Sequence, residues 1–323
     1  NSSAVRMQRC ASAATSRRWR PAVASGAPRC SRTWVRRTRN NCPTDAASDI
    51  ISRHYHIQIR GPDDLDKIRL PKITHDAETT EVTFAAMQEL FRDILPVRKV
   101  GQTHIWFTPW DYLIRWWGLQ EAMLDLIERP ELVNAAVERM TDAWMVELDQ
   151  FEAQNLLALD CTNTRIGSGG YGYTSGLPGK PFDPAYVLPR NMWGCSNAQI
   201  FSDVSPEMHW EFALRHDLRW LERWGLSYYG CCEPLSNKIH LLRKIPNLRK
   251  ISMSPWVNQE RGAKELGRDY VFSRKPSPAF LAPDTFNPKA VEEDLRQTVQ
   301  ICRKHGCPLE LILKDISTVR YEP

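Results

Sequence analysis

Stretches with helical hydrophobic periodicity alternate with short apolar runs from Asp45 onward, and this alternation constrains the fold more than any other feature of the chain. The clearest helical stretch starts near Pro130, and its apolar residues recur at steps of three and four. They are Val133, Val137, Met140, Trp144, Leu148 and Phe151. A second helix is predicted from Ser205, because this capping residue is followed by Pro206 and Glu207. Further helices are predicted at 76–94, 111–128, 234–244, 258–267 and 287–304.

The apolar runs between the helices end in polar residues, as the strands of a buried parallel sheet do. Six runs have this form, at 104–108, 155–161, 227–232, 248–253, 269–273 and 309–313, and 55–59 is a further candidate. Strands that alternate with helices predict a parallel α/β sheet. No G-x-G-x-x-G motif follows the first strand, and the length favours a closed (β/α)₈ TIM barrel over an open dinucleotide-binding sheet. Because fewer than eight strands are found, we expect a barrel that is incomplete at both ends.

The positive net charge of +5 comes from one segment of the chain. Residues 1–44 hold ten Arg, and the first acidic residue is Asp45, which leaves 33 basic and 38 acidic residues in the chain without that segment. An organelle transit peptide is one interpretation of an Arg- and Ser-rich, acid-poor leader. We favour the other, a disordered or non-native leader outside the barrel domain at 45–323. Because the basic residues form no stripe beyond this segment, we do not expect nucleic-acid binding.

Two broad properties of the sequence limit where the protein works. No run of 18 apolar residues is present, so we expect a globular protein without a membrane-spanning helix. We also expect the protein to act on a small-molecule substrate. Six of the nine Cys lie beyond the leader, and they lack the spacing of a disulfide framework. We therefore expect a reducing compartment, by default the cytoplasm.

Candidate site residues follow from the rule that active sites of parallel barrels lie at the carboxyl ends of the strands. Asp160 and Asp315 are candidates for acid–base catalysis, and Lys275 and Lys314 for anchoring an anionic substrate. Cys232 and Glu233 are candidate metal ligands, since thiolate and carboxylate groups bind Zn²⁺. The alternative for Cys232 and its neighbour Cys231 is that both are small buried side chains. The alternative for Lys275, Lys314 and Asp315 is a ring of ion pairs at the rim. Two further candidates for substrate binding at strand ends are Asn163 and Trp256.

A glycine-rich loop at 167–180 follows one of the predicted strands. It does not match a phosphate-binding P-loop, because Thr174 stands where the first Gly is required and Pro181 where Ser or Thr would bind Mg²⁺. We expect instead a mobile lid in which Tyr171 and Tyr173 stack on a ligand, and an ordinary surface loop is the alternative.

Two stretches of the chain resemble the uroporphyrinogen decarboxylase superfamily over about residues 60–320. The first includes Gln199-Ile200-Phe201-Ser202-Asp203, Ser205-Pro206-Glu207 and the strand end Gly230-Cys231-Cys232. The second runs from Asp125 to Val133 and is similar to a D-P-E-L-V helix junction. The resemblance implies a (β/α)₈ barrel, in agreement with the strand pattern.

Within that superfamily the resemblance implies a methyltransferase that uses zinc and works with a corrinoid-carrying partner protein. The family's zinc ligands are His, Cys and a late Cys. Cys232 matches the first Cys, whereas Gly230 stands in place of the His and Ser317 is nearest to the late Cys. Decarboxylation of uroporphyrinogen is the second interpretation. The decarboxylases have an N-terminal segment similar to R-Q-A-G-R-Y, and the Arg residues of the leader do not match this pattern. An inactive barrel that serves as a binding scaffold is the third.

Overall fold

A computed structural model of the chain describes residues 53–316, the segment Asn41–Pro43 and Val319, with side chains placed from Tyr55 onward. Apart from Asn41–Pro43, the basic leader predicted at 1–44 lies outside the described residues, as does Ser317. Two short strands, β1 (Asn41–Pro43) and β2 (Arg53–Tyr55), pair in antiparallel orientation. The strand predicted at 55–59 is therefore present only at its first residue.

A five-stranded parallel sheet forms the centre of the described fold, and its strands neighbour one another in chain order. The strands are β3 (Trp193–Ser196), β4 (Leu226–Tyr229), β5 (Leu248–Met253), β6 (Val271–Arg274) and β7 (Leu309–Leu311). Because all five are parallel, their carboxyl ends meet at one edge, which we call the carboxyl edge. The predicted α/β class with a parallel sheet is confirmed.

Helices lie between the strands along the chain. They are α1 (Ala77–Phe91), α2 (Pro109–Trp117), α3 (Leu119–Glu128), α4 (Pro130–Ala153), α5 (Pro206–His209), α6 (Arg215–Leu221), α7 (Ile239–Leu242), α8 (Gln259–Leu266) and α9 (Pro288–His305). A π-helical turn at Trp210–Leu214 joins α5 to α6. Ser205 caps α5 as predicted, because its side chain accepts a hydrogen bond from the amide of Met208.

The helix α4 supplies the largest apolar face of the core. All six residues of its predicted stripe are buried, and Phe107 packs between Trp144 of this helix and Trp220 of α6. The ring of Phe107 stacks on Trp220 and meets Trp144 edge to face, at centroid distances of 4.8 and 5.2 Å. These contacts pack α4 and α6 against the segment that directly precedes α2.

The structure differs from the sequence expectations at four places. Neither predicted strand forms at 104–108 or 155–161, and an isolated parallel bridge joins Leu157 to Gln102, just before the first of these segments. The helix expected at 111–128 is split at Gly118, whose φ of +90° ends α2. The strand β3 was not expected, because Trp193-Gly194-Cys195-Ser196 is not an apolar or β-branched run.

Among the described residues, no helix has the length and apolar character needed to span a bilayer.

Candidate active site at the carboxyl edge

Four polar side chains meet at the carboxyl edge of the sheet, and we call them the thiol cluster: Cys231, Cys232, Lys314 and Asp315. The two cysteines follow β4, and the other two residues follow β7. The Lys314 ammonium group donates a hydrogen bond to Cys231 Sγ at 3.2 Å and lies 3.4 Å from Asp315 Oδ1. The Cys232 thiol lies 3.6 Å from Cys231 Sγ and donates to Asp315 Oδ2 at 3.8 Å.

The electrostatics of the cluster make one sulfur anionic and keep the other protonated. The contact with Cys232, together with the positive charges of Lys314 and Lys275, outweighs burial and lowers the pKa of Cys231 to about 5. The same contact with Cys231, and then burial, raises the pKa of Cys232. Burial lowers the pKa of Lys314, but the charges of Cys231 and Asp315 raise it above its ordinary value. At neutral pH the cluster therefore holds a thiolate, a thiol and an ammonium group.

Lys275 lies beneath this cluster, with 2% of its surface exposed. Its ammonium group donates to the carbonyl oxygen of Cys231 at 2.8 Å, to Ser168 Oγ at 2.7 Å and to Ser252 Oγ. A fourth contact, of 3.3 Å to Tyr228 Oη, shares these donors, because an ammonium group has only three of them. The predicted substrate anchor is thus a buried group that fixes the loop after β4 and the glycine-rich segment.

Glu233 and Gly230 set the backbone conformation of the loop that carries the two cysteines. Glu233 is fully buried, and its carboxylate accepts hydrogen bonds from the amides of Cys231 and Ala198, at 2.8 and 3.2 Å. Burial, and then the charge of Cys231, raise the pKa of Glu233 to about 7. Gly230 has φ +100°, and a Cβ atom there would meet Leu235 Cδ1 at 2.5 Å and Ser252 Cβ at 2.9 Å. A side chain at this position would clash with the neighbouring loop.

The residues at the carboxyl edge do not fit the zinc site that the family resemblance implies. Within the part of the chain that the structure describes, no group of three or more His, Cys, Asp or Glu side chains could hold a metal ion. The two predicted ligands point to different partners, since the Cys232 thiol contacts Asp315 whereas Glu233 binds two backbone amides. Gly230 stands where the resemblance would place a His.

Asp111 and Gln199 also belong to this site, although neither was a sequence-based candidate for chemistry. Asp111 lies in the first turn of α2, and its Oδ1 accepts a hydrogen bond of 2.7 Å from Gln199 Nε2. Burial raises the pKa of Asp111, and the nearby charge of Cys231 adds to the effect. The one available signal for Gln199 was its place in the stretch that carries the family resemblance. Asp111 carried no comparable signal, because an acid in the first turn of a helix is ordinarily a capping residue.

A second cluster is formed by His104, Asp160 and Cys195, and we call it the histidine cluster. His104 Nε2 lies 3.4 Å from Cys195 Sγ, and His104 Nδ1 lies 3.6 Å from Asp160 Oδ2. Asp160 Oδ1 accepts a hydrogen bond from the amide of Trp193, at the start of β3. Asp160, predicted to act in catalysis, is fully buried and is placed with this second group.

The protonation of His104 is set by competing contacts. Burial opposes a charge on the ring, but Cys195 and Asp160 favour it and raise the pKa of His104 to about 10. The amide of Gly167, however, donates to His104 Nε2 at 2.9 Å, and only a nitrogen without a proton accepts such a bond. The conformation in the structure is therefore that of the neutral ring, and protonation would cost the bond to Gly167.

The first part of the glycine-rich loop is not the mobile lid that was expected. Residues 166–169 are buried, and Ser168 Oγ donates to the carbonyl oxygen of Gly230 at 2.8 Å. A Cβ atom at Gly169 would lie 2.3 Å from the ring of Tyr228, so this close approach requires glycine. The segment packs against the sheet and links the two clusters, because Gly167 contacts His104 while Ser168 contacts Lys275.

The three remaining candidates for substrate binding are exposed. Tyr173 and Trp256 have 66% and 73% of their surface accessible, and Asn163 is exposed as well. Tyr173 meets the ring of Tyr171 edge to face at 6.3 Å. These side chains are accessible to a ligand, and their role as substrate contacts stays a prediction.

Comparison with known proteins yields a structural likeness but no match of family or of sequence. No protein-family profile matches the sequence, and no curated protein matches it. A solved structure of a methyltransferase from Methanosarcina mazei is similar with a TM-score of 0.41 and 13% sequence identity, over 78% of this chain and 69% of that chain. A likeness of this size says nothing about activity, so the functional argument depends on the carboxyl edge itself.

Proposed function

We propose that this chain is a group-transfer enzyme in which the Cys231 thiolate attacks the carbon of a methyl donor. The observation that carries the proposal is the 3.2 Å contact between the Lys314 ammonium group and Cys231 Sγ at the carboxyl edge. A thiolate, rather than a thiol, is the nucleophile in cysteine chemistry. We further propose that the sheet is part of a (β/α)₈ barrel, and its five parallel strands in chain order support this.

The proposed step forms a bond between Cys231 Sγ and the methyl carbon, while the bond from that carbon to the donor breaks. The electron pair of the broken bond leaves with the donor, and no proton moves. The low basicity of Cys231 also makes it a better leaving group than an ordinary thiolate, since leaving-group ability rises as the thiol pKa falls. The same contacts with Lys314 and Cys232 therefore favour both loading of the sulfur and transfer of the methyl group to a second acceptor.

The neighbouring residues have supporting roles in this proposal. Lys314 holds the thiolate, and Asp315 binds both Lys314 and the Cys232 thiol, so that it positions the pair. Asp111 lies close enough for its charge to act on Cys231, and we propose that it contacts the bound donor. Asn163, Tyr173 and Trp256 are proposed to contact the substrate from the solvent side. Asp160 is proposed to act only through the histidine cluster.

The donor class that we propose is a methylated corrinoid carried on a partner protein, as the family resemblance implies. Two alternatives are less well supported. A binding scaffold would need no convergent ionisable groups, whereas Cys231, Lys314 and Asp315 lie in contact. A uroporphyrinogen decarboxylase would be expected to carry the Arg-rich segment that the sequence lacks.

Incubation of the purified chain with methylcobalamin, followed by peptide mass spectrometry, tests this proposal. We expect one methyl group on the peptide that contains Cys231, none in the Cys231→Ser variant, and unchanged labelling in the Cys161→Ala control. A folded protein that leaves Cys231 unmethylated would overturn the corrinoid as donor. If Cys231 also failed to react with iodoacetamide at neutral pH, the thiolate mechanism itself would be wrong.

A further inference from the structure

The two sulfur atoms of the thiol cluster have a spacing that suits a bridging atom better than a direct bond. Cys231 and Cys232 are consecutive, so their Cα atoms are about 3.8 Å apart across a trans peptide. A disulfide usually needs about 4.4–6.8 Å between Cα atoms, and a bond between neighbours is strained. The sulfur atoms are 3.6 Å apart. With bonds of about 2.3 Å, the length of a zinc–thiolate bond, a bridging atom would subtend an angle of about 100°.

The number of ligands narrows the kind of atom that fits between the two sulfurs. A tetrahedral metal ion needs two more protein ligands in a closed site, and the described residues offer no group of three suitable side chains. A three-coordinate, thiophilic centre that carries its own third substituent needs the two sulfur atoms alone. Trivalent arsenic with one organic group has this valence and an affinity for thiols.

We infer that Cys231 and Cys232 form a dithiol site that chelates a monosubstituted trivalent arsenical. Two S–As bonds form and the bonds from arsenic to its oxygen break. The oxygen leaves as water with two protons, one from the Cys232 thiol and one from solvent, and the oxidation state of arsenic does not change. Cys231 is already held by Lys314, and Asp315 accepts the hydrogen bond of the Cys232 thiol, which orients the group that must lose its proton.

This site goes beyond the proposed methyl transfer, because that reaction needs only one sulfur whereas the chelate needs both. Holding an atom through two linked sulfurs strengthens binding by about 10²-fold or more over one sulfur. The lone half-buried thiol of Cys161 provides a matched comparison. We therefore expect Cys231 and Cys232 to keep a bound arsenical in the presence of a competing monothiol, whereas the single thiol of Cys161 would release it.

The experiment uses phenylarsine oxide with the full chain, followed by a wash with excess 2-mercaptoethanol and peptide mass spectrometry. We expect one phenylarsenic group per chain, mapped to the peptide with both cysteines and released by 2,3-dimercaptopropanol. Cys231→Ser and Cys232→Ala should each lose the group about 10²-fold faster in the wash, whereas Cys161→Ala should behave as the parent protein.

Two results would overturn the inference. One is equal retention by the parent protein and by a folded Cys232→Ala variant, and the other is an arsenic label on any other peptide after the wash. Circular dichroism spectra of both variants verify folding, and a Cys232→Ser variant replaces any that does not fold. Methylation of Cys231 in the Cys232→Ala protein would keep the proposed function while the dithiol site fails, so the two proposals fail separately.

Discussion

The thiol cluster and the histidine cluster each contain a cysteine beside a basic side chain, yet they surround those cysteines with different hydrogen-bond partners. At the carboxyl edge, Cys231 receives a hydrogen bond from Lys314, and its Sγ lies 3.6 Å from Cys232 Sγ. In the histidine cluster, Cys195 lies beside a ring nitrogen that already accepts the amide of Gly167, and its thiol donates to the carbonyl oxygen of Ile105 at 3.7 Å. A donor stabilises a thiolate, whereas an acceptor stabilises a thiol.

The difference shows that nearness to a basic residue does not by itself activate a cysteine. Lys314 has three donors and no acceptor, so its contact with Cys231 must favour the anion. A neutral imidazole can accept as well as donate, and the backbone amide of Gly167 decides its role. We therefore assign chemistry to the thiol cluster and a structural role to the histidine cluster, and three sets of substitutions test this contrast.

The largest expected effect concerns Lys275, which connects the two regions. Lys275→Met leaves the carbonyl oxygen of Cys231 and the hydroxyls of Ser168 and Ser252 without their shared donor. A buried polar group that loses its partner costs about 1–3 kcal/mol, so the free energy of unfolding should fall by about 3 kcal/mol or more. Urea denaturation measures the loss.

The matched control for Lys275 is Lys304, which is exposed and pairs with Glu260. Lys304→Met should change the free energy of unfolding by less than about 1 kcal/mol, as is usual for exposed ion pairs. Similar losses in the two variants would contradict the role of Lys275 as the group that connects the two clusters.

An intermediate effect is expected from replacing the cysteines. With a pKa of about 5, Cys231 is largely a thiolate above pH 6 and becomes protonated below pH 5. At pH 6 the gain in thiolate fraction outweighs its lower nucleophilicity, so iodoacetamide should label Cys231 about tenfold faster than an ordinary thiol. Cys231→Ser should abolish this fast phase, and Cys195→Ser should leave it unchanged. A fast phase that survives in Cys231→Ser but disappears in Cys195→Ser would reverse our assignment of the two clusters.

The smallest effect is expected for Lys314→Met, which keeps the side-chain stem and removes the charge. Without the ammonium group the pKa of Cys231 should rise, and the midpoint of its labelling profile should move up by about 1–3 pH units. Measurement of the iodoacetamide rate between pH 4 and pH 9 gives this midpoint, with Lys304→Met as the control. An unchanged midpoint would show that Cys232, and not Lys314, holds the thiolate.

The sequence predicted the helices and the parallel sheet better than it predicted the site. The α4 stripe was found because its apolar residues repeat with the helical period, and all of them are buried. The strand β3 was missed because it contains Gly194 and ends in Ser196, so its place in the sheet comes from pairing with β4 rather than from its own composition. Periodicity is a local property, whereas strand pairing is not.

The candidate site was predictable only in part. The rule for strand ends identified Lys314, Asp315 and Cys232, which the structure brings into one cluster. It could not show that Glu233 turns inward or that Lys275 is buried, since both depend on the loop conformation set at Gly230. Nor could it place Asp160 beside His104, because the two residues are far apart in the sequence and neither lies in a strand of the sheet.

The conformation of Gly230 also limits how this edge of the sheet could be re-engineered. A histidine there would force a bulky side chain into space held by Leu235 and Ser252, so an imidazole ligand could not be introduced at this position without moving the loop. A designed metal site beside Cys231 and Cys232 would therefore have to take its nitrogen ligand from another segment of the chain.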